Sequence, residues 1–120
     1  MKVQLLDCLY LEKDKNKMSF KDYQKEVDDW INKFDIKYFP IHEQLACLTE
    51  EVGEVARQIN HMYGSKKKKP AEETSELGEE LADVVFALVC IANTSRIDLH
   101  EAWNRKMEKL KIRDAKRYIK

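Results

Sequence analysis

Residues 81–92 read LADVVFALVCIA, and their reading decides the fold. Taken as a helix, the stretch is apolar on nearly every face, and a helix of that kind is buried. It is too short and too interrupted to span a bilayer. Asp83 is its only polar residue. An uncompensated buried carboxylate costs several kcal/mol on typical estimates, so Asp83 requires a partner of opposite charge or a lower charge state.

Working outward, apolar residues recur at helical spacing almost throughout, and only three Gly and two Pro punctuate the 120 residues. Ser19 is a good N-cap for a first helix through FKDYQKEVDDWINKF, with Phe20, Tyr23, Val27, Trp30, Ile31 and Phe34 as its buried stripe. Pro40 suits the first turn of a second helix reaching Tyr63, and Gly64 ends it as a C′ glycine does. SKKKKPAEET (65–74) is a loop, followed by a third helix over 74–96. Asp98, with Glu101 three residues on, opens a fourth helix to about Tyr118. The expected fold is therefore all-α and four-helix bundle-like. Two wide apolar stripes give more hydrophobic surface than one small copy buries, so oligomerisation is expected to complete the bundle. The domain is read as 18–120, with 1–17 a short extension packing on it. That extension makes a poor signal peptide, because Asp7 interrupts its apolar part.

Lys plus Arg and Asp plus Glu are balanced at 22 each, so no global field favours nucleic acid or a membrane surface. Three cysteines, Cys8, Cys47 and Cys90, without CxxC or a Cys/His cluster, fit a reduced cytoplasmic protein and argue against a structural zinc site.

The chemistry lies in two acidic pairs. With Leu45 as zero on the second helix, the stripe Leu48, Val52, Val55 and Ile59 lies between about 280° and 340°. Glu51 falls near about 240°, Glu54 near about 180° and Glu50 near about 140°. With Leu81 as zero on the third helix, the stripe includes Leu77, Val84, Leu88, Ile91 and Ala92, and Glu80 and Asp83 fall near about 260° and about 200°. Both pairs share i,i+3 spacing beside an apolar stripe. If the two helices pack together, Glu51, Glu54, Glu80 and Asp83 converge. Oxygen ligands without His or Cys select Mg²⁺ or Mn²⁺ before Zn²⁺, and the absence of Glu-x-x-His argues against a di-iron bundle. A metal site and a buried salt-bridge network both fit these residues.

EEVGE (50–54) followed by ELAD (80–83) resembles the composite Glu-Glu-x-x-Glu and Glu-x-x-Asp motif of the MazG-type nucleotide pyrophosphohydrolases. This family lies within the all-α NTP pyrophosphatase superfamily. The resemblance extends over Met18–Tyr118 and looks closest to the small stand-alone bacterial members. It implies Mg²⁺-dependent hydrolysis of NTPs or dNTPs between the α and β phosphates, giving a monophosphate and pyrophosphate in nucleotide-pool house-cleaning. By position, it implies Glu51, Glu54, Glu80 and Asp83 as metal ligands, with Glu50 as an accessory carboxylate that orients a water or holds a second metal. Catalysis would then rest on Glu50, Glu51 and Glu54. The family's basic segment corresponds to Lys109 and Arg113, on a stripe with Lys106 and Arg117, as phosphate contacts. Lys111 stands near a position where the family often has Asn. Homodimers or homotetramers are implied as well. The alternatives are phosphoribosyl-ATP hydrolysis on the same metal site and a non-catalytic helical module that binds nucleotide or protein.

Other features read as structural. Lys66–Lys69 suit a solvated loop, Trp30 and Trp103 core packing, and Cys47 and Cys90 small buried hydrophobes. His42, His61 and His100 show no ligand spacing.

Overall fold

The computed structural model describes residues 18–69 and 76–118. The expected extension over 1–17, and Cys8 with it, lies outside these residues. Four helices and no strand are found among them: α1 (Phe20–Ile31), α2 (Ile41–Tyr63), α3 (Leu77–Thr94) and α4 (Leu99–Asp114). None is long and apolar enough to cross a membrane.

The helix ends follow local chemistry. Ser19 Oγ and backbone N–H both donate to Asp22 Oδ2, at 3.0 and 2.7 Å, fixing the start of α1. That helix stops three residues before the expected Phe34. The backbone N–H groups of Lys33 and Phe34 donate back to Trp30 and Ile31 in tight terminal turns, and 32–39 becomes a connector. Pro40 stands as the N-cap of α2, one position ahead of the expected first turn. Its carbonyl accepts from the N–H groups of Glu43 and Gln44, at 2.9 and 3.1 Å. Gly64 ends α2 with extended backbone (φ −92°, ψ −179°), not in the left-handed conformation usual for a C′ glycine. Its value lies in close approach, because a Cβ there would meet the Asn60 side chain and stand 2.6 Å from the Asn60 carbonyl oxygen.

The left-handed residue is Arg96, at φ 55°. The Ile97 N–H donates to the Ala92 carbonyl and the Arg96 N–H to that of Asn93, closing α3 in a Schellman motif with arginine where glycine is usual. Asp98 then caps α4, its Oδ1 accepting from the N–H groups of His100 (3.0 Å) and Glu101 (3.2 Å).

The hairpin α2–α3 forms the main packing; α1 rests on α3, and α4 on α1. Gln44, near the start of α2, reaches Thr94 at the end of α3, so the two helices run antiparallel. The buried apolar residues among those described are Ala87, Val89, Cys90 and Ala92, all on α3. Much of the expected core is open to solvent in the single chain. On α2 the face turned to α3 carries Gln44, Cys47, Glu51, Val55 and Gln58, whereas Leu45, Val52 and Ile59 are 57%, 49% and 43% exposed. On α3, Leu81, Val85 and Leu88 form a second exposed row. Trp30 and Trp103, expected in the core, are half-exposed, with Trp30 edge-on to Phe34 and Trp103 beside Phe20.

A polar network ties the connector down. Tyr38 Oη donates to Asp28 Oδ1 (2.7 Å) and accepts from Asn93 Nδ2 (2.9 Å). Asn93 Nδ2 also donates to the Gln24 carbonyl, and Gln24 Nε2 donates to Asn93 Oδ1 and the Ile97 carbonyl. Gln24 Oε1 accepts from the Leu99 N–H. Burial and the Asp28 hydrogen bond push the Tyr38 phenol up to about 12. This network holds the connector against α1 and α3, where it walls the cleft beside the acidic residues.

Candidate metal centre and apolar cleft

Helices α2 and α3 bring Glu51, Glu80 and Asp83 together, with one carboxylate oxygen from each lying within 4.8 Å of the others. Glu80 lies in register with Val84, Ala87 and Ile91, on the face of α3 turned to α2, and is 8% exposed. Glu51 is half-buried and Asp83 exposed. The sequence pointed to Asp83 as the buried carboxylate. The structure reverses this, because the apolar row on either side of Asp83 is uncovered in a single chain.

None of the three takes part in the ion pairs formed among the described residues. Desolvation raises the Glu51 carboxyl above its ordinary range, and the charges of Asp83, Glu80, Glu54 and Glu50 raise it further. A hard divalent cation suits this donor set, as carboxylate oxygens crowd without a compensating cationic side chain among the described residues. Glu50 and Glu54 stand exposed on α2, close enough to act on Glu51 but outside the three-oxygen group.

Lys109 and Arg113 are not among the residues that line the cleft described below. They lie exposed on α4, whose packing partner is α1. Arg113 donates through Nε and Nη2 to the two carboxylate oxygens of Asp114, both at 2.9 Å.

Glu51 and Asp83 also form part of the wall of a cleft of about 460 Å³. Its other walls are mostly apolar: Ile31, Phe34, Ile36 and Phe39 from α1 and the connector, Cys47 from α2, and Phe86, Ala87 and Cys90 from α3. Lys37, Tyr38 and Gln44 add polar atoms. Burial and the nearby Cys47 push the Cys90 thiol up, which keeps it protonated and unreactive. Sequence reasoning missed this cleft because Phe34 was assigned to a helical stripe. The available signal was three large apolar residues, Phe34, Ile36 and Phe39, crowded into a short segment before Pro40. Gln44 was missed too, and its one mark is its place seven residues before Glu51, on the same helix face.

Comparison with known proteins places the chain in a family. The model of the MazG nucleotide pyrophosphohydrolase domain matches residues 39–118, which include every carboxylate of the site. The Bacillus subtilis protein YpjD, itself uncharacterized, is 46% identical over 102 residues, covering 85% of this chain and 92% of its own. The crystal structure of YpjD superposes with a TM-score of 0.69 at 47% identity, over 78% of this chain and 96% of that one. A Bacillus-conserved MazG protein, described as a nucleotide pyrophosphohydrolase, superposes equally well (0.69) at 42% identity, over 79% of this chain and 92% of that one. Sequence, fold and the gathering of three carboxylates beside an apolar cleft agree, and the chain belongs to the MazG nucleotide pyrophosphohydrolase family of hydrolases.

Proposed function

We propose that the chain hydrolyses nucleoside triphosphates, NTPs or dNTPs, between the α and β phosphates with Mg²⁺ or Mn²⁺ bound, clearing nucleotides from the cytoplasmic pool. One observation carries this reading: Glu51 and Asp83 belong both to the three-carboxylate group and to the wall of an apolar cleft. A nucleotide has the matching halves, an anionic chain that needs a hard cation and a base that needs apolar cover.

Glu51, Glu80 and Asp83 would hold the cation, with Glu54 one turn along α2 extending the set. The bound ion supplies positive charge that offsets the phosphate oxygens. The side chains of the chain itself do the rest. Phe34, Phe39 and Phe86 cover the base and keep water from that end of the site. Glu50, Glu51 and Glu54 line the acidic side on which an attacking water is oriented and its proton accepted.

A homodimer or homotetramer is part of this proposal. The exposed rows Leu45/Val52/Ile59 and Leu81/Val85/Leu88 need apolar cover, and a second copy of the same hairpin is self-complementary cover of that kind. In such an assembly Lys109 and Arg113 would reach triphosphate from a neighbouring copy, as their own α4 rests on α1.

The test is pyrophosphate release from a panel of NTPs and dNTPs, with and without Mg²⁺, for wild type and Asp83→Asn. Metal-dependent release that falls by two orders of magnitude or more in the variant is expected, on the scale of a lost electrostatic catalytic group. No pyrophosphate from any nucleotide would refute the proposal.

A further inference from the structure

Gln44 is a buried polar side chain that neither the metal centre nor the connector network accounts for fully. It is 5% exposed, it lines the cleft, and it lies on α2 two helical turns before Glu51. Its Nε2 donates to the Phe39 carbonyl and to Thr94 Oγ1, both at 2.7 Å. The Phe39 carbonyl can only accept, so this contact fixes which end of the amide is NH₂. Oε1 is left pointing away from both partners, buried and with no hydrogen-bond partner among the described residues. Buried acceptors are nearly always paired, and an orphan beside a cleft marks a place where a ligand completes the pairing.

The other polar groups of the cleft wall are committed or of the wrong kind. Tyr38 Oη is held between Asp28 and Asn93. Glu51 and Asp83 belong to the carboxylate group, and Lys37 offers donors but no acceptor. The aromatic walls take the faces of any base, since every base has an apolar face. An N–H on the edge of a base therefore finds its uncommitted side-chain acceptor on this wall at Gln44.

We propose that Gln44 is a specificity-determining residue, whose Oε1 accepts an N–H from the exocyclic amino group on the Watson–Crick edge of adenine or cytosine in the cleft while its Nε2 keeps hold of the Phe39 carbonyl. The seven residues from Gln44 to Glu51 span about 10 Å of helix, commensurate with the separation of a base edge from its α-phosphate. Oε1 is covered in the base-free protein, so the base displaces the side chains over it, and relief of the unpaired acceptor favours that opening. The nucleotide as occupant rests on the pyrophosphohydrolase reading; the orphan acceptor does not.

The experiment compares substrates that differ only by deletion of a donor: ATP against purine riboside triphosphate, and CTP against 2-pyrimidinone riboside triphosphate. Neither deletion adds bulk. In wild type, kcat/KM is expected to favour the amino-bearing member of at least one pair by roughly tenfold to a hundredfold, the range for leaving a buried acceptor unpaired. In Gln44→Met, of equal length but without the acceptor, that preference falls toward unity. A wild-type ratio near unity in both pairs overturns the proposal, and so does a preference that survives in Gln44→Met. The wild-type ratio needs no variant, so a misfolded Gln44→Met does not shield the idea. The same pairs are also titrated as product monophosphates, with Kd read by calorimetry. A preserved Kd ratio without any turnover would count against the hydrolase proposal and leave Gln44's role standing. A Kd ratio of one would overturn Gln44's role whatever the turnover.

Discussion

Asp83→Asn should have opposite effects on stability with and without a divalent cation. The three carboxylate oxygens of Glu51, Glu80 and Asp83 lie within 4.8 Å of one another. At that separation two unit charges repel by about 0.9 kcal/mol in water, and by more in the lower effective dielectric near a protein surface. Removing the charge of Asp83 relieves its repulsion with both Glu51 and Glu80. Because Asp83 is exposed, the value for water is the appropriate scale, and the metal-free variant should be more stable than wild type by about 1–2 kcal/mol. Saturating cation reverses the order. A ligand at a hundred times its Kd stabilises the protein it binds by about 2.7 kcal/mol, and a variant with one ligand fewer forfeits most of this. The assay is thermal unfolding by circular dichroism, first in chelator and then across a Mg²⁺ or Mn²⁺ titration. Protein concentration is held fixed, since any assembly makes the midpoint concentration-dependent. The melting curves of variant and wild type should cross as the cation is added. A variant less stable than wild type in chelator, or equal stabilisation of both by the cation, would refute a like-charge cluster awaiting a metal.

Three further outcomes follow from the geometry. Tyr38→Phe leaves Asp28 Oδ1 and Asn93 Nδ2 short of a partner and should cost about 1–3 kcal/mol in denaturant melts. The Tyr38 phenol titrates near 12 in the fold against an ordinary value near 10, so its contribution is complete below pH 10 and lost as the pH climbs between the two; the tyrosinate absorbance should show one tyrosine titrating late. Arg96→Gly should stabilise the chain by about 1 kcal/mol, the strain of a left-handed arginine outweighing the greater freedom of an unfolded glycine, and an unchanged midpoint would count against that strain. Asp98→Ala should lower the melting temperature at neutral pH. The backbone N–H groups of α4 hold the Asp98 carboxyl below its ordinary value, so its stabilisation is present above that value and fades as pH falls through the lowered one. The gap between wild type and variant should therefore close in acid.

Much of the fold was legible because it rests on local chemistry. Ser19 and Asp98 cap the helices they were expected to cap, and α2 and α3 lie where their periodicity put them, within the fraying usual at helix ends. The acidic motif was legible as well. Fixed spacing on a helix puts Glu80 and Asp83 on neighbouring faces whatever surrounds them. The connector was less so: WINKF reads as helix by composition, and it takes the pull of Asp28 and Asn93 on Tyr38 to turn 32–39 aside as a wall of the cleft.

The sequence by itself determined that this chain is helical and carries two acidic pairs at matched spacing beside apolar stripes, because propensity, capping and helical spacing act over a few residues. Only the tertiary structure decided which carboxylates meet and which is buried. A helix-wheel angle does not say which flank faces the partner: Glu80 turned inward, Asp83 turned to the cleft, and Glu54 stayed outside the group. The same choice of faces left Leu45, Val52 and Ile59 uncovered while it buried Gln44. Burial depends on which surfaces meet across the hairpin, and that distance in sequence is beyond what local pattern encodes.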